Sequence, residues 1–271
     1  MLTTCAQPGV TKHELDGEVY LYLLHRLMRK GCAFVTARDH IRGTRAFGRP
    51  TVVLRHDCDD LFFRSVAMVH LETRLRLNSS LYLFCEPEWP APIRIRYWAG
   101  SEKWVCLLQA AEKEGIEVGY HMNAYARADF DLPKAVDMFR SDVQYLRRFF
   151  SIETFTCHGG RRGPGRVSNL AFPEQAIPPS LNITNASVKF TESDYIGGFR
   201  LATLGGGGLL TYDGYLGDGG VWYGYRDWFY GWIGETCCQS LDEFVERMAP
   251  GKAYQLLIHP QYYALEEWVH F

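Results

Sequence analysis

A chain of 271 residues can bury a substantial core as one α/β domain or two small ones, and 47% apolar against 22% charged residues is the balance of an ordinary globular protein. The formal charge of −2 leaves no broad basic field for nucleic acid or anionic lipid, and no stretch approaches the roughly 18 uninterrupted apolar residues of a membrane span. The start MLTTCAQPGVTKHELDGEVY has no basic segment followed by an apolar run, and the eight cysteines have no framework or CxxC spacing, so the expectation is a cytoplasmic protein with reduced thiols.

Helix and strand signals then alternate. Thr11 and Glu14 have capping-box spacing, and Val19, Leu21, Leu23, Leu24, Leu27 and Met28 make the following helix apolar up to Gly31. A strand is expected over 51–58 and a helix over about 60–77, with Phe63, Ala67, Leu71 and Leu75 four residues apart. A short strand over 80–85 precedes EPEWPAPIRIRYWAG, whose three prolines and lack of period read as a long loop. Ser101 caps the next helix, Gly115 stops it, and a strand over 116–121 follows. Pro133 suits the first turn of another helix, before a strand over 154–158. Ser240 and Glu243 form a second capping box, and Pro250-Gly251 ends that helix ahead of a strand over 253–259.

Strand–helix alternation is the pattern of a parallel sheet with crossover helices, where ligands gather at the carboxyl ends of the strands. There is no internal repeat and no linker, so residues 1–271 read as one domain. Residues 196–235, rich in glycine and aromatics, read as a hairpin or loop insert within it.

Four of the expected strands end in residues that chemistry would use: HDCD, GYH, TCH and LIH. At period two, Arg55, Asp57 and Asp59 share one face of their strand while His56 and Cys58 share the other. Two carboxylates so placed repel unless a cation lies between them or one is protonated. A metal ligand beside a general base fits that demand; so does an ion pair with Arg55, with Asp60 capping the next helix. His121 and His158 close two further strands, and neutral imidazole suits zinc and related ions. His259, followed by a proline, is set at a strand terminus and is the candidate general acid, with Asp194 the candidate carboxylate orienting its ring. Arg55, Arg161 and Arg162 are candidates for holding a carboxylate or a substrate anion; a solvated turn explains the last two equally well. In TYDGYLGDGGVWYGYRDWFYGW, Trp222 and Tyr223 are candidate platforms for a sugar face, as a buried hairpin or a subunit interface would equally require. The glycine run at 205–208 lacks the Lys-Ser/Thr of a phosphate loop.

LRHDCD resembles the LRHDVD motif of a branch of the polysaccharide deacetylase superfamily whose members often occur with surface-polysaccharide genes. EVGYH is similar to that branch's EIGYH or EIGLH, TFTCHGG to its HG turn, ESDYIGG to its SD-S/Y-G segment and LLIHP to its late LLxHP. The matches run in family order from about residue 33 to about residue 263. The resemblance implies a distorted, incomplete (β/α) barrel of about seven parallel strands. It also implies a divalent metal ion, zinc or else nickel, cobalt or manganese, and removal of the N-acetyl group of an acetamido sugar or glycan. Carried over by position, Asp57 is the base, Asp59 and His121 are metal ligands, and His259 is the general acid. One position departs: better-known members carry a second metal-binding histidine four residues after the first, and here that residue is Tyr125. His158 is the expected replacement. Tyr125 is also what favours an alternative, a catalytically silent relative that binds carbohydrate or a biosynthetic partner, against the intact DxD pair and LIHP.

Overall fold

The computed structural model describes residues 15–86, 102–159, 163, 165, 167–187, 212–219, 228–234, 236–238 and 240–265. In chain order these form β1 (Leu15–Asp16), α1 (Gly17–Arg29), β2 (Ala33–Val35), α2 (Ala37–Ile41), β3 (Thr51–Cys58), α3 (Phe62–Arg74), β4 (Ser80–Leu83), α4 (Glu102–Lys113), β5 (Glu117–Met122), α5 (Ala124–Arg127), α6 (Leu132–Leu146), β6 (Thr154–Cys157), β7 (Thr184–Asn185), β8 (Gly214–Gly217), β9 (Tyr230–Ile233), β10 (Thr236–Cys238), α7 (Leu241–Arg247), β11 (Ala253–Ile258) and β12 (Tyr263–Ala264).

Every residue of β3 is buried, as a strand covered on both faces requires, and it lies inside the sheet order β10-β9-β8-β11-β3-β4-β5-β6-β7, with β2 also paired to β3. From β8 to β7 each pairing is parallel, and the β2–β3 pairing is parallel too, so the parallel sheet expected is present. Among the described residues the row is open, with β10 and β7 at its ends. The mixed α/β architecture with a parallel sheet expected from the sequence is present.

Period two divides the sheet into two unlike faces. Cys58, Leu81, Leu83, Val118, Tyr120, Met122, Phe155 and Cys157 pack outward with α3, α4 and α6, while Leu54, Tyr254, Leu256 and Ile258 pack outward with α1 and α7. The alternate residues face the other way: Arg55 and Asp57, Ser80 and Tyr82, Glu117 and Gly119, Thr154 and Thr156, all of them buried except for the side chain that Gly119 lacks. Gly119 is needed there, because a Cβ at that position would stand 2.4 Å from the Tyr82 ring. Glu117 closes this polar layer below. It accepts hydrogen bonds from Ser80 Oγ (2.7 Å), from the Arg38 backbone N–H (2.9 Å) and from Thr154, and burial still pushes its carboxyl above the ordinary value.

Three expectations need correction. The N-terminal helix begins at Gly17 with Asp16 as its cap, accepting from the Glu18 N–H, while Thr11 and Glu14 lie outside the described residues. Helix α3 begins at Phe62, because Leu61 at φ 46° breaks the chain direction first. And 196–235 is not simply an insert: β8 is a parallel member of the central sheet, paired to β11, and only β9 and β10 form an antiparallel ribbon at its edge. No helix among the described residues is long and apolar enough to cross a membrane.

Candidate metal centre

The inward residues at the carboxyl ends of β3, β5, β6 and β11 meet. Parallel register does this: His56 pairs with Leu81 and with Ile258, and His121 with Thr156, so strand ends that are distant in sequence come level. Asp59 Oδ1 lies 3.1 Å from His121 Nε2 and 3.7 Å from His158 Nε2, and Asp59 Oδ2 lies 3.7 Å from His259 Nε2. One ligand atom each from Asp59, His121 and His158 falls within 4.8 Å of the other two. Around a tetrahedral ion with bonds near 2.0–2.2 Å, ligand atoms stand about 3.3 Å apart. The two measured separations from Asp59 bracket that value.

The surroundings suit a cation. His121 is buried, and its Nδ1 shares a 2.8 Å hydrogen bond with Thr156 Oγ1, so an Nδ1–H donated there leaves the Nε2 lone pair facing Asp59. His121 Nε2 is enclosed yet makes no aligned hydrogen bond among the described residues, as a ligand atom should. Phe84 stacks on the His121 ring at 4.9 Å and meets the His158 ring edge-on, closing the apolar side. Burial would raise the Asp59 carboxyl, but His158, then His121 and His259, hold it well below the usual carboxylate range. An anionic oxygen and two imidazoles are a ligand set for zinc and its neighbours.

Asp57 stands beside this cluster and outside it. Arg55 Nε donates to its Oδ1 (2.8 Å) and the Arg55 NH2 group to its Oδ2 (2.5 Å), and His121 Nε2 is 3.6 Å from Oδ2. Burial opposes its charge, yet Arg55 and then His121 keep its pKa below the ordinary value. Arg55 is itself buried and bound to Asp57 through two of its three guanidinium nitrogens, so it holds that carboxylate in place.

The carboxylate on His259 is Asp218. His259 Nδ1 and Asp218 Oδ1 are 2.6 Å apart, and the His259 backbone N–H donates to Asp218 Oδ2 at 2.7 Å. Burial would lower the imidazole pKa, but Asp218 overrides it, with Asp59 and Asp57 adding to the effect, and the pKa is pushed up to about 9. Asp194, expected in this place, lies outside the described residues, as do Arg161, Arg162, Trp222 and Tyr223. Asp218 directly follows β8 as Asp59 follows β3, and the glycine-rich run GYLGDGG concealed the strand before it.

Tyr125 has turned away from the cluster. It lies on α5 and packs edge-on to Phe130 and Phe172 (5.3 and 5.7 Å between centroids), beside the outer core. Asn123, two residues before it, donates from Nδ2 to the Glu86 carbonyl, while its Oδ1 is enclosed and makes no hydrogen bond among the described residues.

No family model matches the chain, and no curated protein does. Among solved structures it is similar to a family 4 carbohydrate esterase from Bacillus anthracis, at a TM-score of 0.31 and 10% identity over 63% of this chain and 69% of that one. A likeness so remote transfers neither a residue nor an activity.

Proposed function

We propose that the chain is a metal-dependent hydrolase that removes the N-acetyl group from an acetamido sugar during glycan or surface-polysaccharide assembly. The observation that carries this reading is the meeting of Asp57, Asp59, His121, His158 and His259 at one rim of a parallel sheet; the motif resemblance supplies the reaction. Asp59, His121 and His158 would hold the divalent ion, which when bound polarises the acetyl carbonyl and acidifies water. Asp57, kept ionised by Arg55, takes the proton of the attacking water. His259, kept protonated by Asp218, gives a proton to the departing amine, and Asp218 occupies Nδ1 so that Nε2 faces the reaction.

Metal content and acetate release on a panel of acetamido sugars test this. Acetate release that stops on chelation and returns with added zinc is the expected result. A wild-type protein with no bound metal and no turnover on any of them fits the carbohydrate-binding relative instead. His158→Ala is expected to weaken metal binding by more than the roughly 10–100-fold that losing an outer-shell partner costs; undiminished binding in this variant removes His158 from the ligand set.

Asp218→Asn should move the basic limb of the pH–rate profile. His259 must be protonated to act as the acid, so activity is lost as pH rises through its pKa. Without the Asp218 charge, the main cause opposing burial is gone and that pKa falls below about 9, with Asp59 and Asp57 still raising it. The limb therefore shifts to lower pH, and an unmoved limb would deny Asp218 its role.

A further inference from the structure

The geometry points to Gln261 as a positioning residue that holds Asp59 to one-oxygen coordination, an inference that rests on the metal-site reading above. Asp59 has two oxygens with different neighbours. Oδ1 faces His121 and His158, whereas Oδ2 receives the Gln261 side-chain N–H at 3.3 Å. The other orientation of the amide would set its carbonyl oxygen against a carboxylate, so the donor must be the group that faces Asp59.

The amide is held from behind. His259, Pro260 and Gln261 turn sharply, with Pro260–Tyr262 a 3₁₀ turn and the Tyr262 N–H bonded to the His259 carbonyl at 3.0 Å. Arg64 of α3, buried, donates from Nη1 to the Gln261 carbonyl at 2.8 Å. A buried arginine directed to the backbone of this residue fixes where its side chain begins. The same turn thus delivers the proposed acid, His259, and the amide that occupies the second oxygen of a proposed ligand. A carboxylate whose Oδ2 is engaged offers the ion one oxygen and keeps the ligand count low, which leaves room for water and substrate.

Gln261→Met preserves length and volume and removes the donor; Gln261→Ala removes the whole side chain. Both are tested with Co²⁺ alone, by titration and by the visible absorption of the bound ion, whose intensity falls when its coordination number rises. The expected result is about 10-fold weaker Co²⁺ binding in both variants, a weaker visible band as Asp59 becomes bidentate, and an unchanged melting temperature for the metal-free protein. A purely structural role would move the melting temperature and leave the spectrum alone. Wild-type affinity and an unaltered spectrum in both variants overturn the role of Gln261 while leaving the metal site intact. A wild-type protein that binds no Co²⁺ overturns the metal-site reading and this inference with it.

Discussion

Asp57→Asn is expected to cut acetate release by roughly 10²–10⁴-fold, the range that a positioned general base contributes, while the protein keeps its metal. The carboxylate lies beside the Asp59–His121–His158 cluster and shares no separation shorter than 3.6 Å with His121. Asparagine has the same volume and still offers Arg55 one acceptor oxygen, but it cannot take a proton. It also leaves the buried guanidinium without an anion, and breaking a buried pair by removing one partner costs about 3–5 kcal/mol. The variant is therefore less stable as well as slower, and the two effects are separated by measuring turnover per folded, metal-loaded molecule. A variant retaining more than a tenth of wild-type turnover on that basis would mean that Asp57 is only a structural anion for Arg55.

The inward face of the site was legible because alternation in a strand is local. Once HDCD, GYH, TCH and LIH are read as strand ends, period two puts Asp57 and Asp59 on one face of their strand, and the parallel pairing of the strands brings His121, His158 and His259 level with them. What local pattern does not encode is pairing. Asp218 was missed because Gly214 and Gly217 weaken the strand signal of β8, and what makes it a strand is its ladder with β11, far along the chain. The same two glycines are required by their neighbours: a Cβ on Gly217 would come within 2.8 Å of the Tyr230 ring, and one on Gly214 within 2.7 Å of the Trp232 carbonyl. Gln261 escaped notice because the proline before it signals only a strand terminus. The amide matters through Asp59 and Arg64, neither of which is near it in sequence.

His56, the outward neighbour of the candidate base, leads to the largest expected loss of stability. Its Nε2 lies 2.8 Å from Glu72 Oε1 of α3, and the hydroxyls of Tyr20 and Ser79 donate to the same carboxyl group. His56, Glu72 and Ser79 are fully enclosed, as is Tyr20, whose pKa burial and then Glu72 hold well above its ordinary value. This carboxyl group joins α1, α3, β3 and the start of β4 behind the strand that carries Asp57 and Asp59. Glu72→Ala leaves the Tyr20 and Ser79 hydroxyls without their acceptor and the His56 ring without the carboxylate beside it, all in the core, and about 3–5 kcal/mol is the expected cost, read from urea unfolding at constant slope. Glu72→Gln keeps the volume and one acceptor, so its loss should be smaller. Because Asp57 and Asp59 lie on the other face of β3, Co²⁺ affinity of the folded Glu72→Gln protein should stay within about a factor of ten of wild type, less than the upper end of an outer-shell loss. A Glu72→Ala loss under about 1 kcal/mol would show that this cluster does not hold the strand, and that the geometry of the metal centre is set from its own side of the sheet alone.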